Sequence, residues 1–68
     1  MPISARNQIK ATVRSITRGE ATANVVVDAN GLRLVSSITV EAVDELGLRE
    51  GSAVTAIVKA SDVLLATD

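Results

Sequence analysis

Apolar and polar residues alternate along the first part of the chain. Ile9, Ala11 and Val13 take every second position, with polar residues between them. A period of two is typical of a strand with one buried face, so we predict a strand that begins just before Ile9. Ile16 breaks the alternation, which predicts a β-bulge or a strand end near Ser15.

Two turn signals divide the next part of the chain into a second and a third strand. The segment "TRGEA", residues 17–21, places a glycine between charged residues and predicts a hairpin turn. The segment "ATANVVVDA", residues 21–29, alternates again and is rich in β-branched residues, which favour strands. Asn30 and Gly31 form a strong hairpin signal because both tolerate a positive φ. Residues 32–39, "LRLVSSIT", then form a third strand paired with the second.

The apolar period changes after the third strand. Val40, Val43 and Leu46 recur every third residue, which predicts a helix of about two turns. Thr39 is the expected N-cap of this helix, because its hydroxyl can accept a hydrogen bond from a first-turn amide. Gly47 is the expected C-terminal stop.

The last part of the chain predicts two more strands, "AVTAIVKA" over residues 53–60 and "DVLLAT" over residues 62–67, separated near Ser61. Three strands, one helix and two strands are the element order of an OB-fold. We therefore predict an all-β fold with one short helix, an OB-fold-like five-stranded Greek-key barrel, in a single domain over residues 1–68. An SH3-like barrel or a swapped sheet would produce a similar pattern.

The composition indicates that this domain is stabilised by other copies of itself. The chain has 68 residues and is 47% hydrophobic, but it contains no aromatic residue, no cysteine and no histidine. A domain of this size buries only about 60% of its unfolded-chain surface, and disulfides are excluded as a further source of stability. The surplus of aliphatic side chains therefore predicts a homo-oligomer.

The charge balance argues against nucleic-acid and membrane partners. Seven Lys and Arg residues against eight Asp and Glu residues leave a net charge of −1. Single-strand binding by OB-folds uses aromatic platforms and a basic groove, and the chain offers neither. Arg6 and Lys10 interrupt the segment in which a signal peptide would be apolar, and no segment approaches the roughly 18 apolar residues of a membrane span. We expect a cytoplasmic protein.

The residue types also argue against catalysis. Without histidine and cysteine, a triad of the usual kind, a reactive thiolate and a zinc site are all excluded. The eight carboxylates are scattered mostly over turns and segment ends. We expect that the protein is not an enzyme, with no catalytic residues and no catalytic cofactor.

Small hydroxyl and amide side chains near two cations suit an oxyanion ligand, because they donate hydrogen bonds in fixed directions while the cations offset the charge. The start of the helix is expected to add three outward-facing N–H groups, those of Val40 to Ala42. Each group also has an ordinary explanation, such as a cap at Thr39, a solvated strand residue at Lys59, and a contact of Arg6 and Asn7 that fixes the first strand to a neighbouring subunit. The combination favours an anion site. The side chains concerned are Ser4, Arg6, Asn7, Gln8, Ser36, Ser37, Thr39, Lys59 and Ser61.

Three segments taken together resemble the molbindin (Mop) family of small molybdate-binding proteins. They are "SARNQIKATV" at residues 4–13, "SSITVEAVDELGL" at residues 36–48 and "REGSAVTAIVKASDVLL" at residues 49–65. The resemblance implies a hexamer, a trimer of dimers, that binds molybdate or tungstate between subunits for storage and homeostasis. It implies no metal coordinated directly by side chains, because the metal arrives with its oxo groups attached.

The resemblance also implies the ligands of the ion. Ala42 and Ala60 act only through their backbone N–H groups. A second type of site on the threefold axis is a feature of the family, and we assign no residue to it. The alternative to an anion-binding protein is a structural or protein-interaction OB-like barrel without an anion ligand. The implied molybdate ligands are Ser4, Ala5, Arg6, Thr39, Ala42, Lys59, Ala60 and Ser61.

Overall fold

A computed structural model describes residue 4 and residues 6–68 of the chain, and the described residues form one antiparallel sheet, one α-helix and one turn of 3₁₀ helix. The strand order is β3-β2-β1-β4, which is the Greek-key arrangement, so the predicted Greek-key, all-β class with one short helix is confirmed. The elements are β1 (Asn7–Arg18), β2 (Thr22–Ala29), β3 (Leu32–Thr39), α1 (Val40–Leu46), β4 (Ala53–Val58) and the 3₁₀ helix (Ala60–Asp62).

Both predicted hairpin turns are present. Between β1 and β2 the Gly19 N–H donates to the Thr22 carbonyl oxygen at 2.8 Å. Between β2 and β3, Asn30 and Gly31 have φ values of 55° and 93°, the positive values that a two-residue turn of this kind requires. These tight turns place β1, β2 and β3 side by side in chain order.

The predicted bulge interrupts β1 at its middle. The ladder with β2 pairs Val13 with Val27 and next pairs Ser15 with Val26, so β1 carries one extra residue. This shift brings Ile16 back to the inner face of the sheet, where it packs against the core. The bulge therefore explains why Ile16 departs from the alternation seen earlier in the strand.

The core lies under the two central strands and the helix. Its buried members are small aliphatic residues, and none belongs to β3 or β4. The inner faces of the two edge strands are only partly covered, with Leu34, Ile38 and Val54 packed against the core from its margins. The buried residues are Ala11, Val13, Ala23, Val25, Val27, Ala29 and Val43.

The prediction of a fifth strand over residues 62–67 is wrong, and the sheet formed by residues 6–68 has four strands. The chain leaves β4 through the 3₁₀ helix, and residues 63–68 form no regular element. Leu64 and Leu65 are 90% and 93% exposed, so the segment has no surface of its own chain to pack against. A strand needs a neighbour for its backbone hydrogen bonds, and the described residues provide none for this segment.

The sheet curls without closing, because β3 and β4 form its two edges and do not pair with each other. An open groove of about 330 Å³ lies between them, lined mainly by aliphatic side chains such as Leu34, Leu48 and Val58. Leu46, the last residue of α1, also lines the groove and stays 68% exposed. The incomplete barrel therefore leaves apolar surface uncovered within one chain.

Candidate functional site

Two of the predicted ligand segments meet at one corner of the sheet. Asn7 pairs with Val58 at the end of the β1–β4 ladder, Arg6 directly precedes Asn7, and Lys59 directly follows Val58. The predicted ligands at this corner that the structure describes are all exposed. Ala5 lies outside the described residues. We call this group the cationic corner, and it consists of Ser4, Arg6, Lys59, Ala60 and Ser61.

The backbone of the cationic corner is shaped by the 3₁₀ helix. Lys59 is extended, with φ −64° and ψ 135°, and the Asp62 N–H donates to its carbonyl oxygen at 2.9 Å. The Val63 N–H donates to the Ala60 carbonyl oxygen at 3.2 Å. The first N–H groups of a helix have no acceptor inside that helix, so the Ala60 and Ser61 amides are donors of the predicted type.

The third ligand segment lies at the start of α1, and we call Thr39 to Ala42 the helix corner. Thr39 is the N-cap, as predicted, and its Oγ accepts from the Ala42 N–H at 3.0 Å. The Val40 N–H donates to the Ala21 carbonyl oxygen at 2.9 Å. The expectation that the N–H groups of Val40 to Ala42 are all free is therefore wrong for Val40 and Ala42. The Thr39 hydroxyl still has its own hydrogen to donate.

The charges around the helix corner are mainly negative. Glu41 stands exposed in the first turn of α1. The Arg18 guanidinium is paired with the Asp44 carboxylate, with 2.7 Å between Nη2 and Oδ1. Two carboxylates therefore accompany one cation, and an anion held at this corner depends on positive charge from elsewhere.

The two corners lie at opposite ends of β1. Thr39 pairs with Thr22 beside the end of β1, whereas Asn7 begins that strand. The 12 residues of β1 correspond to roughly 35 Å of strand. The two corners of one chain are therefore separated by the whole of β1.

The interior of the described chain offers no other site for an oxyanion. The groove between β3 and β4 is mainly apolar, and Ser36 is the one side chain of the suggested oxyanion set that lines it among the described residues. Among the described residues, no polar or charged side chain is buried, and no group of three or more His, Cys, Asp or Glu residues could hold a metal ion. In the same part of the chain, no helix has the length and apolar character needed to cross a membrane.

Two side-chain contacts near the corners were not predicted. The Asn7 Nδ2 donates to the Val58 carbonyl oxygen at 3.1 Å, whereas the sequence suggested an oxyanion donor or a contact to a neighbouring subunit. Arg18 and Asp44 pair across 26 positions of sequence. Neither contact has a signal in local spacing, because each depends on how β1 meets another element.

Comparisons with known proteins agree with the three sequence segments. The family model described as the TOBE domain matches residues 3–65. Molybdenum-pterin-binding protein 2 of Clostridium pasteurianum is 46% identical over 66 residues, which cover 96% of this chain and 97% of that protein. A solved molybdate-binding protein from Sporomusa ovata is 42% identical with a TM-score of 0.95, covering 98% of this chain and 100% of its own. The cytoplasmic molybdate-binding protein ModG, solved with molybdate bound, is 40% identical with a TM-score of 0.90, covering 94% of this chain and 46% of its own. The chain therefore carries a TOBE domain and belongs to the molbindin (Mop) family.

Proposed function

We propose that this protein binds molybdate or tungstate in the cytoplasm and serves in storage and homeostasis of the ion, with residues 1–68 acting as one binding domain. The Sporomusa ovata protein and ModG support the choice of ion, since both are named as molybdate-binding, and the Clostridium pasteurianum relative is named as binding molybdenum-pterin. ModG, which is described as cytoplasmic, supports the location. The same relatives are named as binding proteins, which agrees with a role without catalysis.

The separation of the two corners is the observation that carries the proposal. The cationic corner has positive charge, and the helix corner has a hydroxyl donor but a surplus of carboxylates. Roughly 35 Å of strand, the length of β1, lies between them along the chain. In a homo-oligomer, the cationic corner of one copy meets the helix corner of another copy, and both contact the same ion. We propose a hexamer, a trimer of dimers, as this assembly.

Exposed aliphatic side chains support the assembly. Burying apolar surface contributes about 25 cal/mol per Å², and large exposed apolar patches mark interfaces in soluble proteins. In this chain the exposed large aliphatic residues lie on both edge strands, on α1 and on the C-terminal segment. They are Leu32, Val35, Leu46, Ile57, Val63, Leu64 and Leu65.

The chemistry of the two corners suits a tetrahedral dianion larger than sulfate. The Lys59 ammonium and the Arg6 guanidinium offset the charge, and the Thr39 and Ser61 hydroxyls donate hydrogen bonds. A rigid set of donors distinguishes molybdate from sulfate by the size of the space between them. The Ala42 N–H already donates to Thr39 Oγ, so it reaches the ion as a shared, three-centre donor.

Calorimetry tests which ion the protein binds. The full chain is titrated with molybdate, tungstate and sulfate in a phosphate-free buffer. We expect heat and saturation with molybdate and tungstate, and much weaker binding of sulfate. The proposal fails if molybdate produces no heat, or if sulfate binds equally well.

Dilution tests whether the ion lies between subunits. A ligand that binds only the assembled form stabilises it by about 4 kcal/mol at a thousandfold excess over its dissociation constant. Analytical ultracentrifugation of dilute protein is therefore expected to find more oligomer with molybdate than without it. A monomer that binds molybdate with full affinity would place the site within one chain.

The exposed aliphatic residues also favour a second candidate, an OB-like barrel that assembles or binds other proteins without an anion. The same two experiments separate the candidates. An oligomer that resists dilution equally with and without molybdate, and takes up no ion in calorimetry, would support this second function.

A further inference from the structure

We propose that Asn7 is a positioning residue, whose side-chain amide orients the Lys59 end of the cationic corner for the ion. The inference rests on the proposed function, because it concerns the geometry of the same site. Asn7 is among the polar side chains that the sequence suggested for an oxyanion site, but it is not among the molybdate ligands that the family resemblance implies. It acts through the backbone of β4.

The hydrogen bond of Asn7 joins the two segments of the cationic corner. Its Nδ2 donates to the Val58 carbonyl oxygen at 3.1 Å, across 51 positions of sequence. Asn7 and Val58 form the last pair of the β1–β4 ladder, and the Asn7 side chain is half-buried. Ladder ends open most readily, so a side-chain bond here restrains the point at which β4 would separate from β1.

The bond also sets the direction of the next amide. A peptide unit is planar and trans, so its C=O and N–H groups point in opposite directions. When Asn7 holds the Val58 carbonyl towards β1, the Lys59 N–H is directed to the other side of β4. The direction in which the chain enters Lys59 is thereby fixed, and the side chain leaves the backbone from a fixed point.

Within the described part of the chain, few other contacts restrain this segment. Lys59, Ala60 and Ser61 are exposed, so packing does not hold them. The two other hydrogen bonds of the segment, to the carbonyl oxygens of Lys59 and Ala60, come from Asp62 and Val63 and are internal to the turn. They shape the turn but do not attach it to the sheet. Among the described residues, the Asn7 amide attaches it to the sheet by a side-chain bond, beside the backbone pairing of Asn7 with Val58.

Size discrimination between oxyanions requires fixed donors, so loss of the Asn7 amide is expected to affect affinity and selectivity together. The main variant is Asn7→Leu, which is close in size and has no donor. Removal of one hydrogen bond is expected to lower molybdate affinity roughly five- to tenfold, as measured by calorimetry. We also expect the ratio of molybdate to sulfate affinity to fall, because a looser segment accommodates the smaller ion.

Two control variants separate positioning from general stability. Asn24→Leu makes the same chemical change at an exposed position of β2 and is expected to keep wild-type affinity. Val54→Ala removes a side chain that packs against the core from β4, and it is expected to lower the melting temperature while keeping affinity and selectivity. Asn7→Ala is the second test variant, with a smaller loss expected because water can take the place of the amide.

Amide spectra of the ion-free protein provide an independent measurement. In Asn7→Leu and Asn7→Ala, the Lys59 and Ala60 N–H signals are expected to shift and to exchange faster with solvent. The N–H signals at the middle of the ladder, at Ile9 and Ala56, are expected to stay unchanged. In Val54→Ala the Lys59 signal is expected to stay in place.

The inference is overturned if both Asn7 variants bind molybdate with wild-type affinity and selectivity. It is also overturned if Val54→Ala lowers the melting temperature as much as Asn7→Leu does and also loses as much molybdate affinity and selectivity as Asn7→Leu. Absence of molybdate binding by the wild-type protein would instead defeat the proposed function. The amide spectra would then still decide whether Asn7 orients Lys59.

Discussion

The cationic corner and the helix corner are held in place by different forces. At the cationic corner the ligand segments are exposed, and hydrogen bonds such as that from Asn7 to Val58 determine their direction. At the helix corner the helix is anchored by Val43, which is 0% exposed, and its N-terminus is capped by Thr39. One corner therefore has charge on a lightly restrained backbone, and the other has a hydroxyl on a packed element. Substitutions are expected to affect the corners separately.

The largest effect is expected from the charge of the cationic corner. Lys59→Ala is expected to weaken molybdate binding by about 2–4 kcal/mol, because a cation that loses its water beside a dianion contributes strongly to affinity. Calorimetry measures the change. Lys10→Ala, an exposed lysine in β1, is the matched control and is expected to bind normally. Wild-type affinity in Lys59→Ala would remove this residue from the site.

The second-largest effect is expected from Val43, the residue that anchors the helix corner. Val43→Ala is expected to lower the free energy of unfolding by about 2 kcal/mol, through lost burial and the cavity that remains. Urea denaturation followed by circular dichroism measures it. Glu45→Ala on the exposed side of the same helix is expected to stay within about 0.5 kcal/mol of wild type. Equal effects of the two substitutions would mean that Val43 does not anchor the helix.

The cap of the helix corner has a smaller expected effect on stability. Thr39→Ala is expected to lower the free energy of unfolding by about 1 kcal/mol, because the Ala42 N–H loses its acceptor. It is also expected to weaken molybdate binding, since the hydroxyl donor is removed. Thr39→Ser keeps the cap and the hydroxyl donor, so its free energy of unfolding and its molybdate affinity are both expected to be close to wild type. If Thr39→Ser binds molybdate as poorly as Thr39→Ala, the hydroxyl is not the group that the ion contacts.

The smallest expected effect belongs to the ion pair beside the helix corner. The Arg18 and Asp44 side chains are 48% and 62% exposed, so their pair contributes at most about 0.5 kcal/mol. Asp44→Asn is expected to lower the free energy of unfolding by no more than this amount at low salt. The difference from wild type is expected to vanish in high salt, where exposed charges are screened. A loss that persists in high salt would show that Asp44 stabilises the helix by other means.

Most elements of the fold were predictable because their signals are local. The alternation in β1, the departure of Ile16 at the bulge and the Asn30-Gly31 turn each depend on neighbouring residues. The cap at Thr39 and the left-handed Gly47, with φ 64°, likewise depend on a few adjacent positions. Steric preferences of the backbone and short hydrogen bonds act over such distances, so the sequence alone identifies them.

The fifth strand and the geometry of the site were not predictable in this way. The apolar pattern of residues 62–67 is that of a strand, but a strand forms only where another strand is available to pair with it, and Leu65 stays 93% exposed. Local patterns also suggested three free amides at the helix start, whereas Val40 bonds to Ala21, a residue of a distant turn.

The sequence by itself determined which residue types are available, and thus that the protein offers hydroxyls, amides and two cations for an oxyanion without catalytic or metal-ligating side chains. It also determined the strands and turns that local preferences specify. Only the tertiary structure decided that Asn7 bonds to Val58 and that the cationic corner and the helix corner lie at opposite ends of β1. The physical reason is that sheet register and strand order join residues far apart in sequence, and such long-range pairings leave no periodic signal in the chain.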